Sequence, residues 1–501
     1  MFFMKKISIT LLFFYSAIFF LPNTYSQSIK TDYGVYPEPA PPALPSAGGT
    51  FTDAVFGTTL LRVTDANDGT DNHQSYSYWP SFNKNSSLLY ISSVGGIPML
   101  YNFDTTLFSI SNKRPLFQSN PAGDGTPGAE DAIWSGTQKD VMLCHTAQKI
   151  YRYNISTNQY TLIHDFSASY PDLYLWQMSR SINDTVFAFT YKENINYTVK
   201  GYLTYRIPGN QSDTANLPGM DEVQLDKTGN YLVIKTGNSG PSVIEVKILN
   251  LQTHNVENLT DNAPDFAPGH SDNGTGFVIG NDNWNNRYTF RTLSSPHQFY
   301  SVVDFNNDWS LGTHVSMLCD DETWLLISTF VANTLTSSGI FVDEIFQVAT
   351  DGSKSVRRLA HTHSDYLNQN PNNTYWSMPK ANISRDGKYA VFTSNWGSTL
   401  RRDVFVLKIP PASPLGVTEA ANSSFGLFPN PTNGMFTIQS SEGSIQSLEI
   451  YSVFGDKVFS LPCPVNDEQL TINLSSFPAG MYFVKATTPL GSSVQKISYV
   501  R

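Results

Sequence analysis

Seven times along the middle of this 501-residue chain, a short strand runs into a polar turn and then into a strongly apolar strand. That recurrence predicts an all-β fold, a seven-bladed β-propeller, followed by a small C-terminal β-sandwich. Two further observations agree. The turns return at intervals of about 45 to 65 residues, the span of one four-stranded blade, and helix-period segments of useful length are absent. Charged residues make up only 15% of the chain and aromatics 13%, against a usual charged share of about 25%. This is the balance of strand-rich chains that use amides and hydroxyls for solubility.

Taken in order, residues 1–26 carry Lys5 and Lys6, an apolar run over 7–21, and the small residues Thr24 and Ser26, the pattern of a secretory signal peptide. The run is shorter than the ~20 residues a membrane span needs, so the mature chain is expected to begin near Gln27. A Pro-rich N-terminal segment follows over 27–50. The propeller is placed at 51–409. Its polar turns fall at 83–86, 136–140, 182–184, 226–230, 272–274, 319–322 and 385–388, each ahead of an apolar strand. Each turn joins an innermost strand to the second strand, and a further hairpin completes the blade. The last blade lacks an outermost strand after 404–409; residues 58–64 match the missing piece and close the ring, removing free sheet edges. Six or eight blades follow if one repeat is miscounted.

Pro410, Pro411, Pro414 and Gly416 interrupt any ladder, which places a linker at 410–424. The sandwich occupies 425–501, with strands expected at 434–439, 447–451, 457–460, 470–473, 480–486 and 494–500. No stretch after the leader is apolar enough to span a bilayer. A net charge of −10 argues against a nucleic-acid partner, whose phosphates need a basic footprint. The three cysteines, Cys144, Cys319 and Cys463, are too few and too dispersed for a disulfide framework or a cysteine metal site, and read as small buried apolar residues.

Two resemblances rest on particular residues. Phe428-Pro429-Asn430-Pro431-Thr432 with Gly434, Ile450-Tyr451-Ser452-Val453-Phe454-Gly455, the stretch 474–485 and the closing 495–501 resemble the C-terminal sorting domain of type IX secretion. The resemblance implies passage through the periplasm and across the outer membrane by the type IX machinery, to release or surface attachment. The last repeat, 381–396 with Ser384-Arg385-Asp386-Gly387-Lys388, resembles the repeat of TolB-type propellers and oligogalacturonate lyases. Those lyases carry a histidine pair just before this turn as manganese ligands. Here the corresponding positions are Met378-Pro379-Lys380, so the family's metal set does not transfer residue by residue.

Propeller geometry places a site at the concave channel mouth, where inter-blade loops and second-to-third-strand loops emerge. His73, His145, His270, His314, His361 and His363 are expected there, with His164 close by and His254 and His297 on the opposite side. His270, His314, His361 and His363 are the candidate ligands for a divalent metal such as Mn, Ca or Zn, with Asp272 adding oxygen; no cofactor is required by the sequence. For elimination across a uronate ring, Lys380 or Arg180 would neutralise the carboxylate, His270 or His314 would be the base and Tyr78 the acid. Trp79, Asp282, Trp284 and Trp396, with Tyr76, Asn283 and Asn395, form the candidate glycan-binding surface, since flat rings stack on sugar faces. Three readings stay open: a glycan-binding propeller that also cleaves, a non-catalytic carbohydrate- or protein-binding propeller, and a scaffold whose polar rim hydrogen-bonds its own loops.

Overall fold

The computed structural model describes residues 29–500 apart from 121, 194–197, 237–245, 260–267, 283–284, 307, 332–338, 367–374, 398–399, 412–424, 441–444, 454, 462–468 and 489–490. The expected signal peptide, most of the expected linker, Trp284 and Asn283 lie outside the described residues. The chain divides into two units, residues 1–409 and 410–501. Among the described residues there is no α-helix, and none of the short helical turns is long and apolar enough to cross a membrane.

Among the described residues, the first unit contains seven antiparallel sheets. Each predicted polar turn closes a hairpin because a side-chain oxygen takes up the free backbone N–H groups at its tip. Asn83 Oδ1 accepts from the amides of Ser87 and Leu88 at 2.9 and 3.0 Å. Asp226 Oδ1 does the same for Asn230 and Tyr231 at 3.0 and 2.9 Å, and Ser384 Oγ accepts from Tyr389 N at 3.0 Å. The fourth-sheet turn needs the left-handed backbone of Gly229, φ +73°, and a Cβ there would meet Ser181 of the neighbouring turn at 2.7 Å.

Apolar residues on both faces of these strands pack sheet against sheet, and the clusters run in a ring. Leu88, Tyr90 and Leu100 of the first sheet meet Trp134 and Met142 of the second. Leu143 of the second meets Leu175 and Phe187 of the third. Further clusters join third to fourth, fourth to fifth, fifth to sixth and sixth to seventh. The circuit closes where Phe82, Leu89 and Ile91 pack on Val391, Val404 and Val406. The unit is therefore a β-propeller. Its last sheet is completed from the other end of the unit, as expected: Thr59–Arg62 pairs with Asp403–Lys408 through Leu60↔Leu407, Leu61↔Val406 and Arg62↔Phe405. Arg62 also pairs with buried Asp403 at 2.6 Å. Thr50–Thr52 adds a fifth strand to that sheet.

The Pro-rich segment has a position that the sequence did not indicate. Residues 30–47 lie against the outer strands of the sixth and seventh sheets as a strap. Lys30 bridges Arg358, Arg358 Nη1 donates to Gly34 O at 2.9 Å, and Trp396 Nε1 donates to Pro42 O at 2.8 Å.

The second unit holds a three-stranded sheet, Phe425–Phe428, Met435–Ser440 and Gln469–Asn473, and a four-stranded sheet, Lys457–Leu461, Ser447–Ser452, Gly480–Thr488 and Gly491–Tyr499. Both contribute to one core that includes Phe436, Ile450, Val484 and Ile497. Six expected strands are present; Phe425–Phe428, which carries the start of the Phe-Pro-Asn-Pro motif, forms a seventh.

Candidate functional site

His270 lies in the innermost strand Pro268–Asn273 and His314 in the innermost strand Leu311–Ser316 of the next sheet. The equivalent positions bring their imidazoles face to face, 4.2 Å between centroids and 23° apart in plane. Phe330 stacks on the other side of His314 at 5.6 Å, and Tyr76 meets it edge-on at 5.4 Å. His270 Nδ1 donates to Thr313 O at 2.5 Å. Neither ring nitrogen of His314 has a hydrogen-bond partner. Burial pushes the pKa of His270 down to about 4, and burial beside His270 holds that of His314 well below the usual range. Both rings are neutral at pH 7.

Beside them, the Tyr78 hydroxyl donates to Glu222 Oε2, and Glu222 Oε1 pairs with Lys235 Nζ at 2.6 Å. Burial and the Glu222 charge raise the Tyr78 pKa well above 10, so the phenol keeps its proton. Burial alone would raise Glu222, but the Lys235 ammonium and the Tyr78 hydroxyl outweigh it and hold the carboxyl below its ordinary value. Lys380 is 1% exposed. Its ammonium donates to Tyr375 O at 2.6 Å and sits 3.2 Å from the Tyr375 ring centroid, 4.4 Å from that of Trp376 and 5.6 Å from that of Tyr76. With no carboxylate at salt-bridge distance among the described residues, burial drives its pKa far down. Trp376 stacks in turn on His73 at 3.8 Å. Farther round the wall, Lys192 lies over the Trp176 ring, and burial lowers its pKa to about 8, against the opposing charge of Glu130.

These groups share one end of the channel. Lys192 and Lys235 sit near the far ends of second strands, Val186–Glu193 and Tyr231–Thr236, which run back toward the mouth. The structure brings Tyr78, His270, His314 and Lys380 together around Tyr76. It adds Glu222, Lys235, Glu130, Lys192, Trp176, Tyr375 and Trp376, which sequence reasoning missed. The available signal was a charged residue inside an otherwise apolar ladder: Lys192 and Lys235 occupy similar places in successive sheets.

Other candidates are placed differently. Arg180 ends the strand Leu173–Arg180 beside the polar turn, at the opposite end of the channel from Lys380. Its Nε donates to Trp134 O at 2.8 Å and stands 3.4 Å from Asp184, and it lines a cavity of about 60 Å3 with Lys227, Arg385 and, from the mouth side, Tyr78. Trp79 is not on an open surface: it is buried among Ile133, Leu175 and Phe187, with its indole N–H on Met178 O at 3.1 Å. Trp396 is likewise buried, stacked on Phe405 at 4.9 Å and held by Pro42. Asp282 is fully buried and accepts from Arg287 Nε at 3.0 Å. Asn395 is buried too, donating to Asp365 O at 2.9 Å.

The four histidines predicted as one metal set form two pairs with different neighbours. His361 and His363 are 6.2 Å apart by centroid and face the strap. His361 Nε2 donates to Tyr36 O at 2.9 Å and its Nδ1 stands 3.5 Å from Asp53. His363 Nδ1 stands 3.4 Å from Glu38. The His270–His314 pair does not fit a divalent ion. A metal bonds imidazole through a lone pair in the ring plane, and stacked rings direct those lone pairs side by side rather than toward one point. Asp272, the expected oxygen ligand, already accepts from Gln224 Nε2, Asn273 N and Met317 N at 2.5, 2.8 and 2.6 Å. Among the described residues, no three His, Cys, Asp or Glu side chains form a group able to hold a metal ion.

No curated protein matches the chain by sequence. Two solved structures are similar across the propeller. One is described as an oligogalacturonate lyase in complex with manganese, 11% identical, covering 74% of this chain and 98% of that one with a TM-score of 0.54. The other is an oligogalacturonate lyase from Vibrio parahaemolyticus, 8% identical, covering 74% and 99% with a TM-score of 0.54. At such identities the likeness concerns the fold. Residues 426–499 match the family described as a secretion system C-terminal sorting domain. The chain thus joins a β-propeller to a type IX secretion C-terminal sorting domain, which directs it out of the cell or to the cell surface.

Proposed function

We propose that the propeller binds a uronate-containing extracellular glycan at the His270–His314 end of its channel and cleaves it by β-elimination. The observation that carries this reading is His314: a buried, neutral imidazole with two unpartnered nitrogens, set among a protonated phenol, the Lys235 ammonium and the buried Lys380 amine. A buried polar group without a partner is costly to the fold and asks for a role. The likeness to oligogalacturonate lyases makes the reaction class worth testing, without assigning it.

The chemistry needs three groups, and each has a candidate. Lys380 meets the uronate carboxylate and regains full charge as it does so; neutralising that carboxylate acidifies the C5 proton. His314 takes the proton as the general base. The C4–O bond breaks, a C4–C5 double bond forms, and the Tyr78 hydroxyl protonates the leaving oxygen, with Glu222 and Lys235 holding the phenol in place. Tyr375, 46% exposed, offers its outer face for a sugar ring to stack on.

The test is incubation of the purified protein with polyuronates, read as the ultraviolet absorbance of unsaturated product. No absorbance rise with any polyuronate overturns the cleavage. A second reading, a carbohydrate- or protein-binding propeller without turnover, is favoured by the Tyr78 proton already being committed to Glu222. Glycan-array binding without product would support it, and silence in both assays would point to a protein partner.

A further inference from the structure

A groove of about 330 Å3 opens over the mouth end of the third sheet, lined by Tyr170, Asp172, Tyr191, Lys192, Glu193 and Lys200 among others. This is within the size range of small-ligand sites, about 300–1,000 Å3. Lys192 belongs to two surroundings at once. It lines the groove, and its ammonium lies over Trp176 in the channel wall, within the field of Glu130. The groove and the channel wall therefore share one lysine.

From this shared lysine we infer that the groove is a second subsite, which takes a further uronate residue of a glycan whose neighbouring sugars occupy the channel. The inference rests on the proposed channel site. Tyr170 and Tyr191 are half-buried, with ring surface left for sugar stacking. Lys200 pairs with Glu193 at 2.9 Å, but the two side chains are 35% and 43% exposed. An ion pair that open to water contributes little, so Lys200 can exchange Glu193 for a ligand carboxylate at small cost. Asp172 stands beside them in the groove lining. The ligand expected is a longer oligouronate rather than a single disaccharide unit.

Calorimetric titration with oligogalacturonates or other oligouronates of increasing length tests this on the full protein. The wild type should bind a longer oligomer about tenfold more tightly than a disaccharide, the increment of one good contact. Lys200→Glu and Tyr191→Ala should erase that gain and leave disaccharide binding unchanged; unaltered melting temperatures would show that both variants fold. Equal affinity at every length, or a length gain that survives both substitutions, overturns the groove while leaving the channel site standing. No binding at any length overturns both.

Discussion

The propeller carries two histidine pairs with opposite surroundings. His361 and His363 meet carboxylates: Asp53 lies 3.5 Å from one ring and Glu38 3.4 Å from the other. They fasten the N-terminal strap to the sixth sheet. His270 and His314 meet each other, Tyr76 and Phe330, and no acid stands at salt-bridge distance from either among the described residues. The difference teaches that burial alone does not assign a histidine's role. His361, which donates to Tyr36 O of the strap and faces Asp53, is already occupied in holding the fold together, whereas His314, a neutral ring with both nitrogens open, is available to a ligand.

The largest effect separating the pairs should be on turnover. His314→Ala and Tyr78→Phe should each lower product formation by about 10² to 10⁴, the usual contribution of a general acid or base. His361→Ala should leave the rate of the remaining folded protein unchanged, and an equal loss in both pairs would break the comparison. On stability the order reverses. His361→Ala removes the imidazole beside the buried Asp53 carboxylate, which keeps three backbone amide donors, and should cost about 2 kcal/mol, read as a lower urea midpoint. His314→Phe deletes two unsatisfied nitrogens and should leave that midpoint unchanged or raise it.

A smaller effect concerns pH. Burial raises the Glu38 pKa to about 8, and His361, despite its burial, is raised by Asp53. Both groups bind protons in the folded state that the unfolded chain releases. Their contribution is complete below the unfolded values and is lost as pH rises through the folded ones. Asp53 and His363 act in the other direction. Asp53 is lowered by its His361 contacts in spite of burial, and burial lowers His363 to about 4. Their contribution is present above the unfolded values and lost as pH falls. The strap should therefore hold best slightly below neutrality, and limited proteolysis within residues 30–47 should accelerate in mildly alkaline buffer. Uniform cleavage rates across that range would show that these groups do not clamp it. The smallest effect should come from chelation: EDTA is expected to leave product formation unchanged, because the stacked imidazoles do not converge on an ion.

Much of the fold was legible because it is built from local hairpins. A turn such as Asp226-Lys227-Thr228-Gly229-Asn230 carries its own capping oxygen and its own left-handed glycine, and the apolar strand after it is visible without knowing its partner. Even the closing strand could be found, as an apolar piece missing at one end and surplus at the other. The site was legible only in part. His270, His314 and Lys380 lie near strand starts, where position in the repeat fixes position on the mouth. Glu222 and Lys235 were missed because their partners are set by pairing across the sheet and by Tyr78, 144 residues from Glu222. Trp79 and Trp396 were misplaced for the converse reason. Aromatic content near a loop does not reveal that the indole turns inward to reach Met178 O or Pro42 O.

The pairing of Thr59–Arg62 with Asp403–Lys408 makes the ring's first and last strands mutual requirements. A chain interrupted anywhere between them would leave Thr59–Arg62 without its neighbouring strand and its hydrogen-bonding edge open to other chains. Such a fragment would also have lost everything downstream, including the export tag. The last strand of the ring is thus followed, within about twenty residues, by the domain that marks the chain for export.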